Sequence, residues 1–225
     1  MFLRSSFLWL ALIGLLAWPD GLSMGKDNPE TSVGPETALA RLKAGNTRFV
    51  TNSVSNGKPT AARRIETAQA QHPFAIVVAC ADSRTAPELV FDQNIGDLFV
   101  VRSAGNLIDE HGLGSIEYAV GNLGTRLVVV LGHERCGAVK AALAGTTAPG
   151  HINSLVRDIQ PAVRAANSDP GDSLANTVKA NARLVAEKIS KEAEMGSHKS
   201  EVRIVSGYYD IDTGVVQWQA DKLKE

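Results

Sequence analysis

Apolar and polar positions along this chain follow two distinct rhythms. Residues 74–79 (FAIVVA) and 127–131 (LVVVL) are uninterrupted apolar runs, the mark of strands buried on both faces of a parallel sheet. Between and around them, apolar residues recur at helical spacing. Pro35 opens a helix whose Leu39 and Leu42 share a face, with Gly45 and Asn46 as its expected end. A second helical stretch covers 60–70, and the first strand, 74–79, follows it. Pro87 starts a short helical segment, 98–102 reads as a strand, and 103–111 as a polar loop. A helix over 113–123 carries Ile116, Val120 and Leu123 and stops at Gly124, before a third strand at 126–131. Beyond it, Ile152, Leu155, Val156, Ile159 and Val163 define one helix, bent at Pro161. Leu174, Val178, Val185 and Ile189 define another over 173–193. Strands at 202–206 and 215–219 close the chain, separated by a turn at 209–214. Strands alternating with helices predict a single α/β domain: a mostly parallel central sheet flanked by helices, the last strand antiparallel, with an N-terminal helical arm.

The first residues depart from this plan. Arg4 precedes an apolar run from 7 to 18 that is too short for a membrane span. That is a signal-peptide layout, with small residues Gly21 and Ser23 at the positions a signal peptidase reads. The expected organisation is a leader over 1–23, a polar tether over 24–34 and a catalytic domain over 35–225, exported and periplasmic. A start at Met24 would instead leave a cytoplasmic protein. A net charge of −1, with acids and bases interspersed, excludes a nucleic-acid or anionic-lipid surface and favours a small substrate.

Chemistry gathers where the two apolar runs end. The first breaks into Cys80, Asp82 and Arg84, the second into His133 and Cys136 with Gly132 and Gly137 beside them. Ligands of open parallel sheets sit beyond the carboxyl ends of strands, so two such ends would bring these side chains into one crevice. In an exported protein, two cysteines alone would by default form a disulfide. Their polar company, and a histidine three positions before the second, point instead to a metal. Two thiolates and one imidazole make a three-ligand zinc set with an open position. Asp82 and Arg84 form either a surface ion pair or a carboxylate held ionised by a guanidinium as proton acceptor for a metal-bound water. Asp82 could also take the open metal position itself.

CADSR (80–84), GDLFVVR (96–102), GSIEYAV (114–120) and GHERCGAV (132–139) together resemble the β-class carbonic anhydrases. AGNTRFV (44–50) and YYDIDTG (208–214) are similar to further segments of that family. The resemblance implies a zinc enzyme that interconverts carbon dioxide and bicarbonate. It implies Cys80, His133 and Cys136 as ligands of one Zn2+ per subunit, and Asp82 with Arg84 as the catalytic dyad. It also implies Gln71, Phe99 and Tyr118 as substrate-pocket residues with the Gly137 backbone beside them. Homodimers or homotetramers with sites at the subunit interface are expected on the same ground. Ser103 departs from the family's usual Asn, and Val77 stands where some members carry a Trp beside a second bicarbonate pocket. Rival readings are a carbon disulfide or carbonyl sulfide hydrolase on the same scaffold, or a zinc/thiol redox module without turnover.

Overall fold

Five strands form one sheet in the order β2-β1-β3-β4-β5 in the computed structural model, which describes residues 33–55, 59–145, 147 and 149–219. The strands are β1 (Ala75–Cys80), β2 (Leu98–Ser103), β3 (Leu127–His133), β4 (Arg203–Tyr209) and β5 (Val216–Trp218). The first four run parallel and β5 pairs antiparallel with β4. Every residue of β1 and β3 is buried, as their unbroken apolar sequences require. The expected leader, and the tether up to residue 32, lie outside the described residues. Among the described residues no helix is long and apolar enough to cross a membrane.

Side-chain alternation divides the core between the two faces of the sheet. Ala75, Val77 and Ala79 of β1, with Leu127, Val129 and Leu131 of β3, face α1 (Pro35–Val50) and α3 (Pro87–Val90). Ile76, Val78, Val128 and Val130 point the other way, toward α4 (Glu110–Gly121) and α7 (Ser173–Glu192). This is the two-residue period of a strand read off in space. A third cluster forms where α5 (Gly137–Leu143) and α6 (Ile152–Ala165) meet α7, and it encloses Cys80 and Cys136. The remaining helix, α2 (Ala61–Thr67), buries none of its residues.

Most expected elements stand within a few residues of their places, and the first helix is the instructive exception. It runs on through Gly45 and Asn46 to Val50. A Cβ on Gly45 would lie 1.8 Å from the Phe91 carbonyl oxygen, so glycine is there for close approach rather than for a stop. The buried Asn46 amide donates to Val90 O (3.2 Å) and Gly214 O (2.8 Å) and accepts from Val216 N (2.9 Å). Both side-chain N–H donors are thus spent on tertiary contacts, leaving none for the carbonyls at the end of its own helix. The polar stretch after β2 is also shorter than expected, because Asp109 caps α4 by accepting from Gly112 N.

Two glycines should respond with opposite signs to the same methyl group. Gly45→Ala forces its Cβ into backbone and should destabilise by about 1–3 kcal/mol. Gly114→Ala, inside α4 with nothing within 4 Å of the added atom, should stabilise by roughly 0.5–1 kcal/mol. Urea unfolding of both variants checks the pair.

Candidate metal centre

Parallel pairing places the ends of β1 and β3 side by side, with Ala79 opposite Leu131. Cys80 is therefore the last residue of its strand and His133 the last of the neighbouring one. The chain then turns through Arg135, whose φ is +54°, and delivers Cys136 to the N-cap of α5. Ligand atoms of Cys80, His133 and Cys136 all lie within 4.8 Å of one another, and all three residues are buried. Both cysteines are free thiols.

His133 Nδ1 lies 2.8 Å from the Glu134 carbonyl oxygen, an acceptor, so this nitrogen carries the proton and donates. That leaves Nε2 as a lone pair, fully buried and without a hydrogen-bond partner. A buried acceptor facing two sulfurs is unfavourable on its own and well matched to a borderline-soft divalent cation. The residues present thus fit a zinc ion.

The sulfur environment is polar. Cys80 Sγ accepts from Asp82 N (3.4 Å) and Gly105 N (3.3 Å). Hydrogen bonding with the Cys136 thiol holds the Cys80 thiol far below its ordinary range against the opposing effect of burial, with the nearby His133 ring and these two amides acting in the same direction. Cys136 is pushed up, first by that same sulfur and then by burial, while the Val139 and Ala138 amides of α5 pull it back. The two shifts in opposite directions favour a single negative charge on the pair, and binding of a cation would displace the remaining proton to solvent.

Asp82 stands at the rim. Arg84 grips it with Nε to Oδ1 (2.9 Å) and Nη2 to Oδ2 (2.8 Å), and the Arg84 amide adds a third bond to Oδ1 (3.0 Å). The guanidinium bonds hold the carboxyl well below the usual carboxylate range. Asp82 Oδ2 is 3.9 Å from His133 Nε2, so the ionised carboxylate reaches the same space as the three ligands.

The sequence-derived pocket residues divide between two ends of the molecule. Gly137 is the first residue of α5, directly after a ligand, and exposed. Gln71, Phe99 and Tyr118 are not brought to this chain's own cluster. Gln71 is exposed and precedes β1, at the amino end of the sheet. Phe99 pairs with Ile76, four residues before Cys80, or roughly 13 Å along the strand. Tyr118 accompanies it, with ring centroids 6.5 Å apart. Nearest-neighbour reasoning along the sequence also overlooked the groups that hold the ligand loop. Arg102 donates to Cys80 O (2.9 Å) and Asp82 O (2.7 Å), and buried Thr85 donates to Asp82 O (2.9 Å). The GDLFVVR motif contains Arg102, but nothing in it announces a backbone clamp.

Residues 75–216 match the sequence family described as Carbonic anhydrase. Carbonic anhydrase 2 of Mycobacterium tuberculosis is 46% identical over 139 residues, spanning 60% of this chain and 67% of that protein. Carbonic anhydrase of Mycolicibacterium smegmatis is 47% identical over 133 residues, spanning 57% of this chain and 65% of its own length. Among solved structures, a tetrameric β-carbonic anhydrase of Sordaria macrospora superposes with a TM-score of 0.66 at 19% identity, over 82% of this chain and 96% of that one. Coccomyxa β-carbonic anhydrase in complex with acetazolamide gives 0.62 at 22% identity, over 81% and 82%. The chain belongs to the carbonic anhydrase family and has the fold of its β class.

Proposed function

We propose that this chain catalyses the reversible hydration of carbon dioxide to bicarbonate and a proton, with one zinc ion held by Cys80, His133 and Cys136. The observation that carries this reading is the buried, unpartnered Nε2 of His133 facing two thiols, with an ionised carboxylate 3.9 Å away. Cys80, His133 and Cys136 would hold the zinc ion, which would supply Lewis-acid activation of water for attack on carbon dioxide. Asp82 Oδ2, 3.9 Å from His133 Nε2, is placed to accept a hydrogen bond from a reacting water and would thereby orient it toward substrate. Arg84 fixes the carboxylate's direction and keeps it ionised. Glu134 O sets the His133 tautomer, and Glu134 is itself held by donation from Ile211 N to its Oε2 (3.1 Å).

A second copy completes the pocket on this reading. Edge strand β2 is only half-buried along most of its length, and Ile65, Leu89 and Ile95 are exposed large apolar residues. Such a surface suits a homodimer, or a tetramer built from dimers, in which Gln71, Phe99 and Tyr118 face the partner's metal centre. Export to the periplasm is proposed on the leader pattern alone.

Cys136→Ala should purify with almost no zinc, against about one ion per chain in the unsubstituted protein, and without hydration activity. Atomic absorption checks it, and full zinc in the variant would sink the ligand assignment. Asp82→Asn should retain zinc while catalytic efficiency falls about 10²-fold or more; stopped-flow hydration at full zinc loading decides, and undiminished activity would remove Asp82 from the mechanism. Light scattering of the purified protein should give a dimer or a multiple of it, and a stable, active monomer would contradict the shared pocket.

A further inference from the structure

We infer that Asn181, on α7, is a positioning residue for the metal centre: it anchors the carbonyl of Gly105, the residue whose own N–H donates to the Cys80 sulfur. The inference rests on the zinc reading above. Gly105 belongs to the tight turn after β2 and has φ +73° and ψ 20°. It is bonded at both ends, its N–H to Cys80 Sγ at 3.3 Å and its carbonyl oxygen from Asn181 Nδ2 at 2.8 Å. Locking the carbonyl fixes the dihedrals that aim the amide.

The surroundings leave this residue little freedom. A Cβ on Gly105 would come within 2.9 Å of Ile159 Cδ1 and 3.2 Å of Ala138 Cβ, so the turn is wedged between α6 and α5. Asn181 is 2% exposed, on the α7 face that also carries Val178 and Ala182. Those two pack against Gly132, the residue before His133, where a Cβ would meet Val178 Cγ1 at 2.8 Å and Ala182 Cβ at 3.4 Å. One helix face therefore seats the strand that carries His133 and bonds the turn that serves Cys80. A buried amide among apolar neighbours is costly unless it is hydrogen-bonded. Here the bond ends one residue from a ligand sulfur. An N–H donated to a thiolate withdraws charge from it and fixes its direction, so the residue that aims the donor tunes how the sulfur binds a cation.

Asn181→Leu removes the donor while keeping the branching of the side chain, Asn181→Ser shortens it, and Val178→Ala loosens the same helix face without touching Gly105. Zinc affinity is measured by chelator competition, and the thiolate-to-cobalt charge-transfer band by absorption of the cobalt(II) protein. Both Asn181 variants should bind zinc about 10–100-fold more weakly and move the band, while Val178→Ala leaves the band in place. In the unsubstituted protein loaded with NMR-active cadmium, the Gly105 amide proton should couple to the metal through Cys80. Native zinc affinity with an unmoved band in the Asn181 variants would overturn the inference, as would an equal band shift in Val178→Ala. Absence of the cadmium coupling would overturn it even if both Asn181 variants fail to fold. An unsubstituted protein that takes up no zinc would overturn the proposed function and this inference together, whereas native loading with unaffected variants removes the inference alone.

Discussion

The register between β1 and β3 is the constraint on which the rest depends. Ala79 lies beside Leu131, so the two strands end within a residue of each other and their next side chains share one crevice. A slip of one residue would turn every side chain of the slipped strand to the opposite face. A slip of two would restore the faces but displace one ligand by about 6–7 Å along the strand, more than the 4.8 Å within which all three ligand atoms now lie. The apolar continuity of both strands is thus a condition for the chemistry as well as for burial. The two halves of the core hold the register from either side.

The site joins a dry interior to a wet rim. His133 and the two cysteines are buried, whereas Arg84 is exposed and Asp82 lies between them. Coulombic interactions are stronger where water is excluded, so the inner three groups respond sharply to a cation. The outer pair can exchange protons with solvent. Fixed backbone donors supply the gradation, because the amides of residues 82 and 105 turn toward sulfur while Arg102 and Thr85 hold the carbonyls of the same loop. Charge is accommodated without side chains having to move.

Much of this was legible in the sequence because the candidate metal-binding residues and the Asp82–Arg84 pair follow their strands immediately. Cys80, Asp82 and Arg84 share five consecutive residues, and His133 and Cys136 share four. Local proximity makes such sets visible. The same logic explains why Asn181 stayed hidden: its contact with Gly105 spans 76 positions and leaves no periodic trace, since a lone Asn in a helical stripe reads as an ordinary polar residue. Gly45 and Asn46 misled for the opposite reason. As a pair they are typical helix stops, yet tertiary contacts with Phe91 and the last hairpin outweigh that local preference. Gln71, Phe99 and Tyr118 were recognisable by family resemblance but not by position in a single chain, where the sheet carries them away from the metal ligands.

The three bonds of Asn46 also order events in time. Two of its partners, Gly214 and Val216, lie 168 and 170 positions downstream, so a ribosome releases the first helix long before the residues that fasten it exist. Most of the seat of the α1 apolar stripe, on β1, α3 and β3, is made earlier, whereas closing the long loop to residues 214–216 carries an entropic cost of its own. The buried amide of the amino-terminal helix therefore stays short of its full set of bonds until the connection between β4 and β5 has been made.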